Sequence, residues 1–199
     1  MNSAQTALPL RRVGGPLELA RMSAPPRMSP VDPAVSVMTD FTKTAVYCVD
    51  QDAGIDQALM YMKAVGVRFL FVNDDDDNLA GLVTSTDIQG EKPLRYLQSV
   101  DCTLTSCAHT DVLVKHVMVP VENWEVIDYS DVDKARISQI LDSFKATGRR
   151  HLVVTESSGK STIVRGIFSA TRVEQTLGMQ LDIVRTAKSF AEIESALMR

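Results

Sequence analysis

The sequence predicts an α/β fold in which one β-α-β-β-α unit is used twice, and three observations carry that prediction. Two apolar stripes recur at a constant offset: Ile55, Ala58, Leu59 and Met62, then Ile137, Ile140, Leu141 and Phe144. Each is spaced i, i+3, i+4, i+7, the single face of an α-helix. Each stripe stops at a glycine at that same offset, Gly66 and Gly148; glycine ends a helix in the left-handed conformation without a Cβ penalty. After each glycine comes the same succession: an apolar run (68–72, 150–154), a polar turn, and a second apolar run opening into a helix (81–88, 166–173).

The elements follow in order. Residues 1–33 hold Pro9, Pro16, Pro25, Pro26, Pro30 and Pro33 with Gly14-Gly15 and little periodicity, so an extended, partly disordered arm dispensable for folding is expected. Repeat 1 spans 34–90, with Val37-Met38 at its start, a first strand near 45–49, a helix over 56–65 and a turn over 73–78. A linker, 91–116, carries a helix around Leu94-Arg95-Tyr96-Leu97. Repeat 2 spans 117–178, with Val117-Met118, a strand over 125–128, a helix over 132–146 and a turn over 155–161 that is longer by three. Ser130-Asp131-Val132-Asp133 offers that helix an N-cap hydroxyl and acids at its positive end. The tail 179–199 suits an amphipathic closing helix on Leu181, Val184, Ala187, Phe190, Ala191 and Leu197. One repeat of about 60 residues is marginal alone, whereas two sharing a core are stable.

Composition excludes several classes. Of the 199 residues 45% are hydrophobic and 23% charged, the balance of a soluble globular protein, and a net charge of −4 argues against a nucleic-acid binder. No apolar run approaches the roughly 20 residues that span a bilayer, and no h-region follows Arg11-Arg12, so no membrane partner and a cytoplasmic location are expected. Cys48, Cys102 and Cys107 imply no disulfide framework and lack zinc-ligand neighbours. Asp74-Asp75-Asp76-Asp77 lacks the alternating spacing and distal Glu of a calcium loop and reads as a solvated turn. His109, His116 and His151 stand in no catalytic motif, and the repeats consume nearly the whole chain, so no enzyme, catalytic cofactor or metal is expected.

The strand-to-helix corners carry the chemistry. At Thr84-Ser85-Thr86-Asp87, unpaired N–H groups favour an anion, the Thr84 and Thr86 hydroxyls add hydrogen bonds, and the Asp87 carboxylate accepts from two hydroxyls of a diol. The same residues fit a capping box, with Thr84 and Asp87 stabilising the helix start and no ligand present. In the matching corner, Ser169 can cap its helix, while Arg172 stands where Asp87 stands in repeat 1 and cannot accept a hydrogen bond. Arg172 pairs with a phosphate or projects into solvent.

The Val-Met starts, the helices ending in Gly, the Arg-x-Leu-x-Val strand and the Gly-h-h-[Ser/Thr]-x-x-[Asp/Asn] corner (h apolar) together resemble the CBS (cystathionine-β-synthase) domain family over residues 36–178. The resemblance implies two repeats about a pseudo-two-fold axis, two clefts, and a regulatory, adenosine-type ligand such as AMP, ADP, ATP or S-adenosylmethionine. It also implies a homodimer, here through the helices at 56–65 and 132–146, and an unidentified regulated protein as a further partner. The ribose role falls on Asp87, with Thr84 and Thr86 beside it and Ala45, Val46, Phe69 and Leu70 at the base. A second cleft would use Trp124, Val126, His151, Leu152, Ser169 and Arg172, with Trp124 either stacking on a base or anchoring the core. Asp87 against Arg172 makes the clefts unequal and favours repeat 1. The competing class is a structural dimerisation module without ligand.

Overall fold

Two four-stranded sheets pack face to face, each covered on its outer side by helices. The computed structural model describes residues 12, 15, 16, 28–100, 111–159 and 161–183. In chain order a 3-10 turn (Ala34–Val37) leads to β1 (Thr39–Asp40), β2 (Cys48–Asp50), α1 (Ile55–Val65), β3 (Phe69–Asn73), β4 (Leu79–Thr84), α2 (Ser85–Gln89) and α3 (Lys92–Ser99). Then come α4 (Val114–Val117), β5 (Val119–Pro120), a 3-10 turn (Val121–Asn123), β6 (Val126–Asp128), α5 (Tyr129–Val132), α6 (Ile137–Thr147), β7 (His151–Ser158), β8 (Ser161–Ser169) and α7 (Ala170–Leu177). The expected β-α-β-β-α order is present in both halves.

The sheets run β2-β3-β4-β5 and β1-β8-β7-β6. The pairings correspond one for one: β2 is parallel to β3 as β6 is to β7, and β3–β4 and β7–β8 are antiparallel hairpins. The edge strand, however, comes from the other repeat. β1 of the first half pairs with β8 (Thr39 with Ile167), and β5 of the second pairs with β4 (Leu82 with Val119). The repeats read along the chain therefore exchange their opening segments in space.

Burial follows this exchange. One core joins Ala34, Val37 and Met38 to Ile137, Ile140, Phe144, Leu152, Phe168 and Val173. The other joins Val112, Val114 and Val117 to Ile55, Ala58, Met62, Leu70, Val72 and Val83. A third layer between the sheets holds Phe71, Leu82, Val153 and Ile167, flanked by Phe41, Phe69, Trp124 and Val164. Side chains alternate along a strand, so Phe69 and Phe71 face this central layer while Leu70 and Val72 face a helix-covered core.

Two glycines and two methionines explain one another. A Cβ on Gly81 would lie 2.8 Å from the Met118 Sδ and 2.8 Å from the Val119 carbonyl oxygen. On Gly166 it would lie 2.6 Å from the Thr39 carbonyl oxygen and 3.1 Å from the Met38 Sδ. The Val-Met start of each repeat is thus what seats on the corner glycine of the other, and any larger residue there pushes the exchanged strand away.

Several local expectations change. The helix expected over 132–146 is two pieces, α5 and α6, and Asp128 rather than Ser130 is the N-cap of α5. The first N–H groups of α6 are taken by the arm: Ile137 N–H donates to the Asp32 carbonyl (2.9 Å) and Ser138 N–H to that of Pro30 (2.8 Å). Residues 28–33 therefore dock on repeat 2, and Met28 packs against its core. The three extra residues of the second hairpin lengthen β7 and β8, with Gly159 at φ 62° just past the end of β7. The first strands are also short: residues 45–47 are irregular, and pairing starts at Cys48. Residues 179–183 carry no helix, and the rest of the expected closing helix, like most of the N-terminal arm and Cys102, Cys107 and His109, lies outside the described residues.

Candidate functional site

The exchange of strands brings parts of both repeats to one cavity of about 300 Å³. One wall is the segment around β1 and β2: Thr39, Phe41, Thr44, Ala45, Val46 and Tyr47. Val67, Arg68, Phe69 and Phe71 add the entry and inward face of β3. The opposite end is the second repeat's corner, with His151, Ser169, Thr171, Arg172 and Gln175. Residues 45–47, which line it, are irregular backbone.

The sequence grouped the base-side positions of each repeat with that repeat's own corner, and the fold groups them differently. Ala45, Val46 and Phe69 meet His151, Ser169 and Arg172; Thr84, Thr86 and Asp87 do not line this cavity. Leu70 is 0% and Leu152 2% exposed, both turned into helix-covered cores by strand alternation. Trp124 and Val126 are also off the cavity. Trp124 donates its indole N–H to the Val119 carbonyl (3.0 Å) and packs 6.1 Å from the Phe71 ring, the role of a core anchor.

The two corners differ in state. At α2 the capping box is complete: Asp87 N–H donates to the Thr84 hydroxyl (3.1 Å), and the Thr84 N–H and hydroxyl both donate to Asp87 Oδ2 (2.9 and 2.6 Å). Asp87 Oδ1 is held by Lys92 Nζ at 2.7 Å. At α7, Ser169 makes no side-chain cap. The Arg172 N–H therefore lacks the side-chain acceptor that Thr84 gives Asp87, while the first N–H of α7, that of Ala170, donates to the Arg150 carbonyl (2.9 Å).

The cavity wall carries positive charge without a carboxylate. Arg149 pairs with Glu125 and Arg150 with Glu174, whereas Arg68 and Arg172 make no ion pair among the described residues. His151 leans on Phe69, ring centroids 5.7 Å apart. Burial pushes its pKa down to about 4, against a raising influence from Asp87 and with a further lowering one from Arg150. It stands neutral at pH 7, with one ring nitrogen donating and one accepting.

The wall formed by β1 is itself braced. Arg165 donates Nε and Nη2 to the two oxygens of Asp40 (3.1 and 3.3 Å) and Nη1 to Glu156 (2.7 Å), and stacks 4.3 Å over the Tyr129 ring. The Arg165 guanidinium and the Thr42 hydroxyl and N–H hold the Asp40 carboxyl well below the usual carboxylate range. This clamp fixes the exchanged strand that presents Thr39 and Phe41.

Sequence reasoning missed Thr39 and Phe41 because they reach the site through strand exchange. Thr171 and Gln175 were missed too, although with Arg172 they share a helical i, i+3/i+4 face. Elsewhere, His116 accepts the Leu113 N–H at Nδ1 (3.1 Å) and stacks on Tyr96 at 3.8 Å, tying the two ends of the linker together. Among the described residues, no group of three or more His, Cys, Asp or Glu could hold a metal, and no helix is long and apolar enough to cross a membrane.

A model of the CBS domain matches residues 36–91. The second half repeats that unit strand for strand. Residues 36–91 carry a CBS domain, and residues of the second half share its fold. An uncharacterized conserved protein from Pyrococcus horikoshii shares the fold at TM-score 0.51 and 20% identity, over 80% of this chain and 100% of its own. The CBS domain protein TA0289 from Thermoplasma acidophilum aligns at TM-score 0.48 and 15% identity, over 81% and 75%. CBSX2, known from Arabidopsis thaliana, aligns in its complex with AMP at TM-score 0.45 and 20% identity, over 72% and 93%. No curated protein matches the chain.

Proposed function

We propose that the chain is a tandem CBS pair acting as a non-catalytic regulatory sensor that binds one adenosine-type ligand in the cavity between its repeats. The observation that carries the reading is the cavity itself, apolar at 45–47 and Phe69 and polar at the uncapped start of α7. That polarity suits a flat ring at one end and a phosphate at the other. Because both repeats line it, occupancy bears on their relative placement, which supplies a route for a signal to a partner. The reading includes self-association through α1, where Met60 is 64% and Tyr61 39% exposed. Sedimentation of the wild type and Met60→Glu checks that part: a dimer reduced to monomer supports it, and a monomeric wild type removes it.

Calorimetry and thermal shift with AMP, ADP, ATP and S-adenosylmethionine test the ligand. About one site per chain is expected, with stabilisation of about 2.7 kcal/mol at 100 times Kd. Ala45→Trp, which fills the apolar end, abolishes the heat while the fold persists. A flat response from every compound would leave the ligand-free dimerisation module as the better description.

A further inference from the structure

The two corners of this chain offer opposite hydrogen-bond chemistry at the same position. At the third residue of its helix, α2 has Asp87, an acceptor-only group, whereas α7 has Arg172, a donor-only group. The cavity opens on Arg172, not on Asp87. A ligand seated there meets no carboxylate to take the two hydroxyls of a diol. It meets instead a guanidinium with no ion pair among the described residues, an uncapped helix start, and a second such guanidinium, Arg68.

The contrast with the other arginines sharpens this. Arg95, Arg149, Arg150 and Arg165 are tied to carboxylates, and Arg136 to the Val31 carbonyl. Two cations that line one cavity without such partners both attract an anion seated in it. Guanidinium groups match phosphate bidentately and are the stronger hydrogen-bond partners for it.

We propose that Arg172 makes this cleft selective for an aromatic ligand carrying a second anionic group in place of a free diol, such as a nucleotide phosphorylated on a ribose hydroxyl. The inference rests on the proposed binding role of the cavity and names the ligand class within it. It assigns Arg172 as the specificity-determining residue, with Arg68 in support.

Titration calorimetry on the full chain tests it with five probes: adenosine, AMP, 2′-deoxy-AMP, adenosine 3′,5′-bisphosphate and phenyl phosphate. One charge-assisted contact is worth about 10- to 150-fold in affinity. The bisphosphate should therefore bind at least about tenfold tighter than AMP, and adenosine at least about tenfold weaker. AMP and 2′-deoxy-AMP should agree within about threefold, since no carboxylate lines the cavity to read the hydroxyl. Arg172→Gln should erase the advantage of the bisphosphate and leave the melting temperature unchanged, because this exposed side chain makes no ion pair among the described residues. Arg172→Asp should reverse the order, favouring AMP over 2′-deoxy-AMP. A loss of about tenfold or more on removing the 2′-hydroxyl from wild type, or equal affinity for AMP and the bisphosphate, overturns the proposal while leaving an adenosine site intact. If the adenine compounds fail and phenyl phosphate binds in an Arg172-dependent way, the adenosine reading falls and the anion site stands. If no probe binds, both fall.

Discussion

At the scale of single residues, Asp87 and His151 show how environment decides a role that identity leaves open. Asp87 has the chemistry to hold a diol, yet its oxygens are engaged by Thr84 and Lys92. Asp87→Asn should therefore lower stability by about 1–2 kcal/mol, the worth of a lost cap, and leave affinity for any ligand of the cavity unchanged. Urea unfolding with parallel calorimetry checks this; weakened binding at unchanged stability would return Asp87 to ligand recognition. His151 is neutral in the folded state with a pKa near 4, against about 6.5 when unfolded. Between those values the unfolded chain takes up a proton that the folded chain refuses. Stability should thus fall as pH drops from about 6.5 towards 4, by up to about 1.4 kcal/mol per pH unit. His151→Gln should flatten that window in urea titrations at pH 7, 6 and 5, while the loss below about pH 4 from protonating Asp40 remains.

At the scale of elements, the exchanged strands and the arm carry more than their length suggests. Gly166→Ala places a methyl 2.6 Å from the Thr39 carbonyl oxygen, with backbone rather than a flexible side chain in the way. It should cost about 1–3 kcal/mol as an overpacked contact and weaken ligand binding, because β1 carries Thr39 and leads directly into Phe41. A matched Gly81→Ala should destabilise similarly with binding preserved, since β5 lies off the cavity. Equal loss of binding in both would point to global loosening. Truncation separates two parts of the arm. A chain beginning at Met28 should melt with the wild type, whereas one beginning at Ala34 loses the carbonyls that accept from Ile137 and Ser138. The second should lose about 1–3 kcal/mol, and differential scanning calorimetry reads the difference.

At the scale of the whole molecule, the two repeats are one folding unit. Cutting the chain where the sequence pattern divides it, between 116 and 117, strands β1 away from β8 and β5 away from β4. It also takes Val37 and Met38 out of one core and Val117 out of the other. Each fragment alone should lack cooperative unfolding, and mixing them should restore it. Circular dichroism melts of each fragment and of the mixture test this. A cooperative transition in a lone fragment would show that the exchange is dispensable.

What the sequence by itself determined is whatever depends on local periodicity and backbone freedom. The stripe from Ile55 to Met62 and its twin from Ile137 to Phe144 place two helices, Gly66 and Gly148 end them at φ 73° and 65°, and alternating apolar runs place the hairpins. The repeat itself was legible because each half must solve the same burial problem. Only the tertiary structure decided which half a segment belongs to. Val37-Met38 is sequence-adjacent to repeat 1 but packs with repeat 2, since Met38 seats on Gly166 and both side chains are buried in the core around Ile137 and Phe168. The site follows from that exchange. Ala45 and Arg172 lie far apart along the chain, and nothing local to either predicts that they line one cavity; they do so in a fold where each half supplies the edge strand of the other's sheet.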